Sequence, residues 1–444
     1  MDVFLAVLIA LLCGGLLIRI AIKPDAPLFH VALMALFTLG YLVLPVMLKG
    51  NSGLASYAER EIAGALGIHG LYFLALLAGY FFFLARSGRR RSIDLPRIAT
   101  LVQRYPARLF YLCLALYLAY FSTNELTSYS AEDFEAYFQD RSLFSSLLAA
   151  IAVYCQALMA ICLVAAIGNS KRAVVTPMIA AYAVMLVLLL SVGQRLAMIA
   201  PCIMLVMAFG LAGQGRRALK IMLATVVALA LVSPFAVYLR EAESGSRGKD
   251  KIVEVGGGFS YGDDPITTAV TSVAERADLV LNTLLLKGYI DRTGYVGPQF
   301  YYSVLVSPVP RLIIGNKPAL LSGDGTPADE ISVLAWRLDK GQSTGSLTAF
   351  GGITAYRQGG WLAVIIDGVL VGVLGAFMYR WLGSGGPGGQ MFYVVLVPLM
   401  VVKRVPASLF EALAEILPML VFIALACVVD RLAGRRLVVR NPHV

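Results

Sequence analysis

FSSLLAAIAVYCQALMAICLVAAIGNSKRAVVTPMIAAYAVMLVLLLSVGQRLAMIAPCIMLVMAFGLAG, residues 144–213, decides the fold class. It holds three apolar runs, 144–168, 174–192 and 196–213, broken only by Lys171-Arg172 and by Gly193-Gln194-Arg195. As a helix rising 1.5 Å per residue, a run of about 20 residues crosses a hydrocarbon core of ~30 Å. One such run would suit the core of a soluble protein. Runs in series do not.

The same pattern extends in both directions. Apolar stretches fall at 2–21, 27–48, 66–85 and 108–124 before it, and at 219–239, 361–381, 391–402 and 411–430 after it. The chain is 59% apolar and 14% charged, against roughly a quarter charged in soluble proteins. We expect an all-α, polytopic transmembrane helical bundle of about eleven spans. The first span lacks the basic start and cleavage site of a signal peptide and is expected to be retained. The six cysteines lie inside apolar runs, without metal-ligand spacing, and read as small buried hydrophobes. His30, His69 and His443 are scattered.

Short loops rich in Lys and Arg stay in the cytoplasm. The strongest such run is Arg86, Arg89, Arg90, Arg91, Arg97, Arg104 and Arg108. Placing it inside also places Arg19, Lys23, Lys171, Arg172, Arg216, Arg217, Lys220, Arg380 and the tail from Arg431 to Arg440 inside. The N-terminus is then outside, the C-terminus cytoplasmic, and residues 241–360 outside. The net charge of +10 is thus a topology signal, and no nucleic-acid partner is expected. Three regions follow: 1–240 as a first membrane bundle, 241–360 as a large periplasmic loop, and 361–444 as the last three spans and tail.

A loop as long as 241–360 is normally functional or disordered. Residues 241–264 are rich in Gly, Ser and charge. Beyond them Ile266, Val270, Val273, Ala277, Leu281 and Leu284 recur at three and four residues, opposite Thr267, Thr271, Glu275, Asp278 and Asn282. That spacing predicts an amphipathic helix over 265–287, on the membrane surface or against the bundle. Asp264-Pro265 supplies its start. Tyr295 to Tyr302 is aromatic, suiting a membrane interface or a sugar-stacking surface, and Pro308, Pro310 and Pro318 break regular helix further on.

The cations on the outer side carry the chemical reading. Arg195 stands at the outer turn between two spans, where an arginine near lipid normally faces a cavity or partner. Arg240 closes a span, Arg276 and Arg292 flank the amphipathic helix, and Arg311 and Lys317 lie in a Pro-rich stretch. Arg357 precedes Gly359-Gly360, and Lys403-Arg404 interrupts the last apolar stretches. Guanidinium groups hold their charge and bind phosphate bidentately. Several in one cavity would grip a lipid-linked pyrophosphate and stabilise the charge growing on it as it leaves. Neither a nucleotide-phosphate loop nor a histidine cluster is present, so no cofactor or metal is expected. An acceptor hydroxyl also needs a base. The candidates are Glu132, Asp133, Asp278, Asp291, Asp324, Asp329 and Glu330, with Asp329-Glu330 preferred for following the cationic stretch. Glu411 and Glu415, at i and i+4, share one face of the last span, and Asp367 is followed by Gly368, a sign of close helix packing.

Two stretches resemble Wzy-type oligosaccharide repeat-unit polymerases, the O-antigen polymerases of Gram-negative inner membranes. One is Leu347-Thr-Ala-Phe-Gly-Gly-Ile-Thr-Ala-Tyr356-Arg357-Gln-Gly359-Gly360, leading into a span with Asp367-Gly368. The other is Lys403-Arg404-Val-Pro406-Ala-Ser408-Leu-Phe410, similar to the basic, proline-containing turn before the family's last helix. Gly193-Gln194-Arg195 fits a third feature. Two departures stand out: Gly352-Ile353-Thr354 has no glutamate where many relatives carry one, and the outer loop lacks the histidine of the sister O-antigen ligases.

The resemblance implies a metal-independent, GT-C-like membrane glycosyltransferase of the bacterial inner membrane. It would transfer a growing glycan from undecaprenyl pyrophosphate to the next lipid-linked repeat unit, for lipopolysaccharide or exopolysaccharide. Arg195, Arg276, Arg311, Arg357 and Glu330 are the expected catalytic residues. Arg240, Arg292, Lys317, Lys403, Arg404, Tyr301 and Tyr356 are expected to bind substrate. A flippase and a chain-length regulator are the implied protein partners. The competing readings are a flippase or transporter, disfavoured because charge gathers at one face and no repeated halves are seen, and a ligase-like transferase.

Overall fold

The computed structural model describes residues 2–47, 54, 57–88, 92–93, 95–124, 143–169, 172–191, 195–228, 279–297, 351–401 and 407–438. Among them the regular structure is entirely helical: α1 (Asp2–Ile22), α2 (Ala26–Thr38), α3 (Leu44–Met47), α4 (Glu59–Arg86), α5 (Pro96–Arg104), α6 (Pro106–Asn124), α7 (Leu143–Asn169), α8 (Arg172–Ser191) and α9 (Arg195–Leu211). After these come α10 (215–228), α11 (Leu279–Thr293), α12 (Gly351–Met378), α13 (Pro387–Val401) and α14 (Leu409–Val438). Single π turns at Leu39–Val43 and Tyr379–Gly383 join α2 to α3 and extend α12.

Among the described residues, seven helices are long and apolar enough to cross a membrane, with α2 and α3 counted as one. Shorter apolar helices at Pro106–Phe121, Ile199–Leu211 and Pro387–Val401 match three further expected spans. The span expected at 219–239 is described only to residue 228. Exposed Phe4, Leu11, Val187, Leu362 and Val429 suit a surface whose solvent is lipid rather than water.

α12 lies along α4, and glycine makes that seam possible. A Cβ at Gly372 would sit 2.0 Å from the carbonyl oxygen of Leu76, one at Gly368 2.7 Å from that of Tyr72, and one at Gly79 2.2 Å from that of Val369. Without lipid-tail exclusion to drive association, helices in membranes rely on such close contact. The expectation of close packing at Gly368 is met.

For orientation, the two ends of the bundle are named here after the ends of α4. The Arg86 end carries α5, a short amphipathic helix; the Arg97 amide donates to Asp430 Oδ1 of α14 (3.3 Å), and Ile93 N to the Trp381 carbonyl (2.9 Å). The Glu59 end is where two pieces of the long segment 241–360 enter the bundle.

α11 is the first piece. It begins beside His69 of α4 and runs back toward Gly64, which packs on Lys287. It continues to Thr293, past the expected end at 287, and its part before 279 lies outside the described residues. Asn282, placed by periodicity on the polar face, is buried (8% exposed), as is Thr283 (1%). The second piece is the start of α12. Gly352 packs against Ile68, His69 and Tyr72, whereas Trp361 reaches Gly67 and Gly368 returns to Tyr72. Residues 351–358 therefore rise through the bundle and the chain turns back at Gly359-Gly360. Gly360 carries the reversal, with φ 67° and ψ −150°, a conformation that strains any residue with a Cβ.

Candidate functional site

From the middle of α4 toward Glu59, the bundle encloses polar groups that lipid could not solvate. Four helices supply them: His69 and Tyr72 from α4, Asn282 and Thr283 from α11, Thr354 and Asp367 from α12, Ser408 and Glu411 from α14, all buried. Ionisable residues inside a membrane bundle are costly and normally tied to partners or function. Hydrogen bonds join most of these side chains across the helices. His69 Nε2 is 2.6 Å from Thr283 Oγ1, which pins α11 to α4. Tyr72 Oη donates to the Ala407 carbonyl (2.6 Å) and to Asp367 Oδ1 (3.1 Å). The same Asp367 oxygen accepts from the Leu409 amide (2.8 Å).

α14 starts inside this cluster. Ser408-Leu-Phe-Glu411 forms a capping box: the Ser408 amide donates to Glu411 Oε2 (2.7 Å), and the Glu411 amide to Ser408 Oγ (3.3 Å). Thr354 Oγ1 donates to the other Glu411 oxygen (3.5 Å). Two carboxylates thus meet the amide-rich N-terminus of one helix, where negative charge is favoured. Ala407 N also donates to the Met400 carbonyl (3.0 Å), so the chain between α13 and α14 leaves and returns at one place. Lys403 and Arg404 lie outside the described residues.

Above this floor is an exposed rim at the turn of α12. Tyr356 Oη donates to Asp291 Oδ1 (2.9 Å), and Lys287 donates to Asp291 Oδ2. The ammonium of Lys287 lies 5.8 Å from the Tyr356 ring centroid. Burial acts to raise the Asp291 pKa, but the hydrogen bonds from Lys287 and Tyr356 outweigh it and leave it lowered. Asp291 is therefore a carboxylate at neutral pH. Tyr356 meets Tyr295 and Trp361 edge to face, at 5.8 and 5.7 Å between centroids. Val296 N donates to the Arg357 carbonyl (2.9 Å), and Phe410 of α14 packs on Val296. These contacts tie the rim to the floor.

Of the residues expected from sequence, Tyr356 and Arg357 lie in this rim, and Arg357 Nη1 is enclosed by protein. Arg292 ends α11, exposed, its Nε donating to the Gly288 carbonyl (2.9 Å). Arg195 opens α9, a helix that packs on α2, α7, α8 and α13. Arg240, Arg276, Arg311, Lys317, Glu330, Tyr301, Lys403 and Arg404 lie outside the described residues. Sequence reading passed over Lys287, Trp361 and Tyr72, and it weighed Asp291 without choosing it. Lys287 and Asp291 are i and i+4, a signal that becomes visible only when the helix is carried past Gly288.

Residues 2–256, more than half the chain, match the family model for the O-antigen polysaccharide polymerase Wzy. The chain belongs to the Wzy family. No curated protein and no solved structure matches it. Membership assigns this Wzy protein an O-antigen polymerase role, a lipid-linked oligosaccharide as substrate, and a multi-pass membrane setting. The matched region supplies His69 and Tyr72 of the floor; the partners from α11, α12 and α14 lie beyond it.

Proposed function

We propose that this Wzy protein joins lipid-linked repeat units at the non-cytoplasmic face of the bacterial inner membrane, without a metal ion. The growing glycan leaves an undecaprenyl-pyrophosphate donor for the next lipid-linked repeat unit. A hydroxyl oxygen of the acceptor attacks the anomeric carbon of the donor sugar. The bond from that carbon to the pyrophosphate oxygen breaks, the hydroxyl proton passes to a carboxylate, and the lipid pyrophosphate departs with the bonding electrons.

One observation carries this reading: the buried, carboxylate-bearing polar cluster and the rim beside it lie from the middle of α4 toward Glu59, away from the Arg86, Arg97 and Arg104 cations. The tendency of short basic loops to stay in the cytoplasm then favours an outer active face, with the N-terminus outside and the C-terminus inside. Arg357, seated where rim meets floor, suits a pyrophosphate oxygen. Arg195, Arg276 and Arg311 would complete the clamp, with Arg240, Arg292, Lys317, Lys403 and Arg404 as further anion contacts. Glu330 would take the proton, and Tyr301 and Tyr356 would contact sugar.

The test is elongation by the purified protein in vesicles supplied with lipid-linked repeat units. A product ladder without other proteins is expected. Movement of substrate across the vesicle without elongation would overturn the reading in favour of a flippase. Arg357→Ala is expected to abolish the ladder while the protein remains in the membrane.

A further inference from the structure

The geometry points to a glycan-binding subsite on the rim, formed by Trp361 and Tyr295 as stacking surfaces and Asp291 as the hydroxyl acceptor. It rests on the polymerase reading, for which it names where the sugar sits. Two exposed aromatic rings are the first element: Tyr295 is 55% and Trp361 42% exposed. Both touch the nearly buried ring of Tyr356 edge to face, so they lie within reach of adjacent sugars in one oligosaccharide. The CH-bearing faces of pyranose rings stack on such surfaces as other apolar groups do.

The second element is polar. Asp291 accepts a hydrogen bond on each oxygen, from Tyr356 and from Lys287. A carboxylate has about four acceptor positions, and the Asp291 side chain is 41% exposed. Lone pairs therefore remain for sugar hydroxyls, beside a lysine that can donate. An acyl chain would use the rings and waste the Lys287–Asp291 pair; an oligosaccharide uses both.

The third element is rigidity. A Cβ on Gly360 would lie 2.8 Å from Tyr295 Oη, and one on Gly67 3.4 Å from the Trp361 ring. The hydrogen bond from Val296 N to the Arg357 carbonyl fixes the residue after Tyr295. The rings are thus set before any ligand arrives, which lowers the entropic cost of binding.

The experiment is calorimetric titration of the purified full-length protein with the oligosaccharide released by mild acid from lipid-linked repeat units of the source strain. Trp361→Ala is expected to weaken binding about tenfold, the scale of one aromatic contact, and Tyr295→Leu by a similar factor. Trp361→Phe keeps a ring and should bind within about threefold of wild type. Unchanged affinity in both Trp361→Ala and Tyr295→Leu would overturn the subsite and make the rings a membrane-interface belt. Failure of the wild-type protein to bind, while it still elongates lipid-linked units, also overturns the subsite but leaves the polymerase reading intact. Binding that depends on both rings, in a protein that never elongates, supports the subsite and sinks the polymerase reading.

Discussion

The molecule buries polar side chains along both halves of α4, and the two clusters differ in kind. Toward the Arg86 end, His30 Nδ1 pairs with Tyr393 Oη (2.9 Å), Tyr80 Oη donates to the Pro27 carbonyl (2.7 Å), and Tyr379 lies against Tyr393. The four side chains of this cluster, His30, Tyr80, Tyr379 and Tyr393, include no carboxylate and pack ring against ring. At the Glu59 end the cluster contains two carboxylates, starts a helix, and opens onto an exposed rim. Neutral hydrogen bonds suffice to hold helices together in lipid. Carboxylates cost far more to enclose, and among the described residues Asp367 and Glu411 are buried in the Glu59 cluster, which is why the proposed substrate site is put there.

The sharpest way to break this comparison is Asp367→Leu. It leaves the Leu409 amide without its acceptor, whereas the Tyr72 hydroxyl keeps the Ala407 carbonyl, a loss of about 1–3 kcal/mol for one buried donor. Elongation should vanish and the thermal transition in detergent should fall. Full activity from this variant would reduce the Glu59 cluster to helix packing. Tyr72→Phe is gentler: it removes one hydroxyl and frees the Ala407 carbonyl. We expect a loss of about 1–3 kcal/mol and a marked drop in elongation, because the start of α14 is no longer held from α4.

Gly360→Ala tests the reversal itself. A methyl group at φ 67° strains the backbone and meets Tyr295 Oη, at a cost of about 1–3 kcal/mol. Oligosaccharide affinity should fall more than stability, since Tyr295 is displaced directly. At the opposite end, Tyr393→Phe removes the partner of His30 and should cost about 1 kcal/mol, seen as a lower melting temperature. Its elongation rate should equal wild type. A rate loss there would erase the distinction between the two clusters.

The spans were legible because apolar runs in lipid need little context: the expected positions at 2–21, 66–85, 361–381 and 411–430 all hold long helices. Close packing at Gly368 was legible from a glycine beside an acid. The rim was not. Periodicity separates a polar face from an apolar one, yet in a membrane bundle the polar face can be the inner one. Asn282 and Thr283 show this: both are buried, and Thr283 meets His69. The capping box at Ser408–Glu411 was local and readable, but Glu411 was read by its spacing from Glu415, which says which face it shares and not which amide it meets. That Tyr72, Asp367 and Leu409 meet is a long-range fact no local pattern carries.

The smallest expected effect concerns pH. Asp291 has a lowered pKa in the folded protein, so its contribution is fully present above the unfolded value of about 3.9 and is lost as pH falls through the lower folded value. Oligosaccharide binding should therefore be flat from neutral pH to about 5 and weaken only below about 4. The stabilising part of the Lys287–Asp291 contact is small, well under 1 kcal/mol, because both side chains are partly solvated. Asp291→Asn removes the titrating group while keeping an acceptor, so its acid response should flatten. If wild-type affinity instead fell between pH 7 and 5, the acceptor at the rim would be a group other than Asp291. The carboxylates that distinguish the two ends would then have to act from the floor alone.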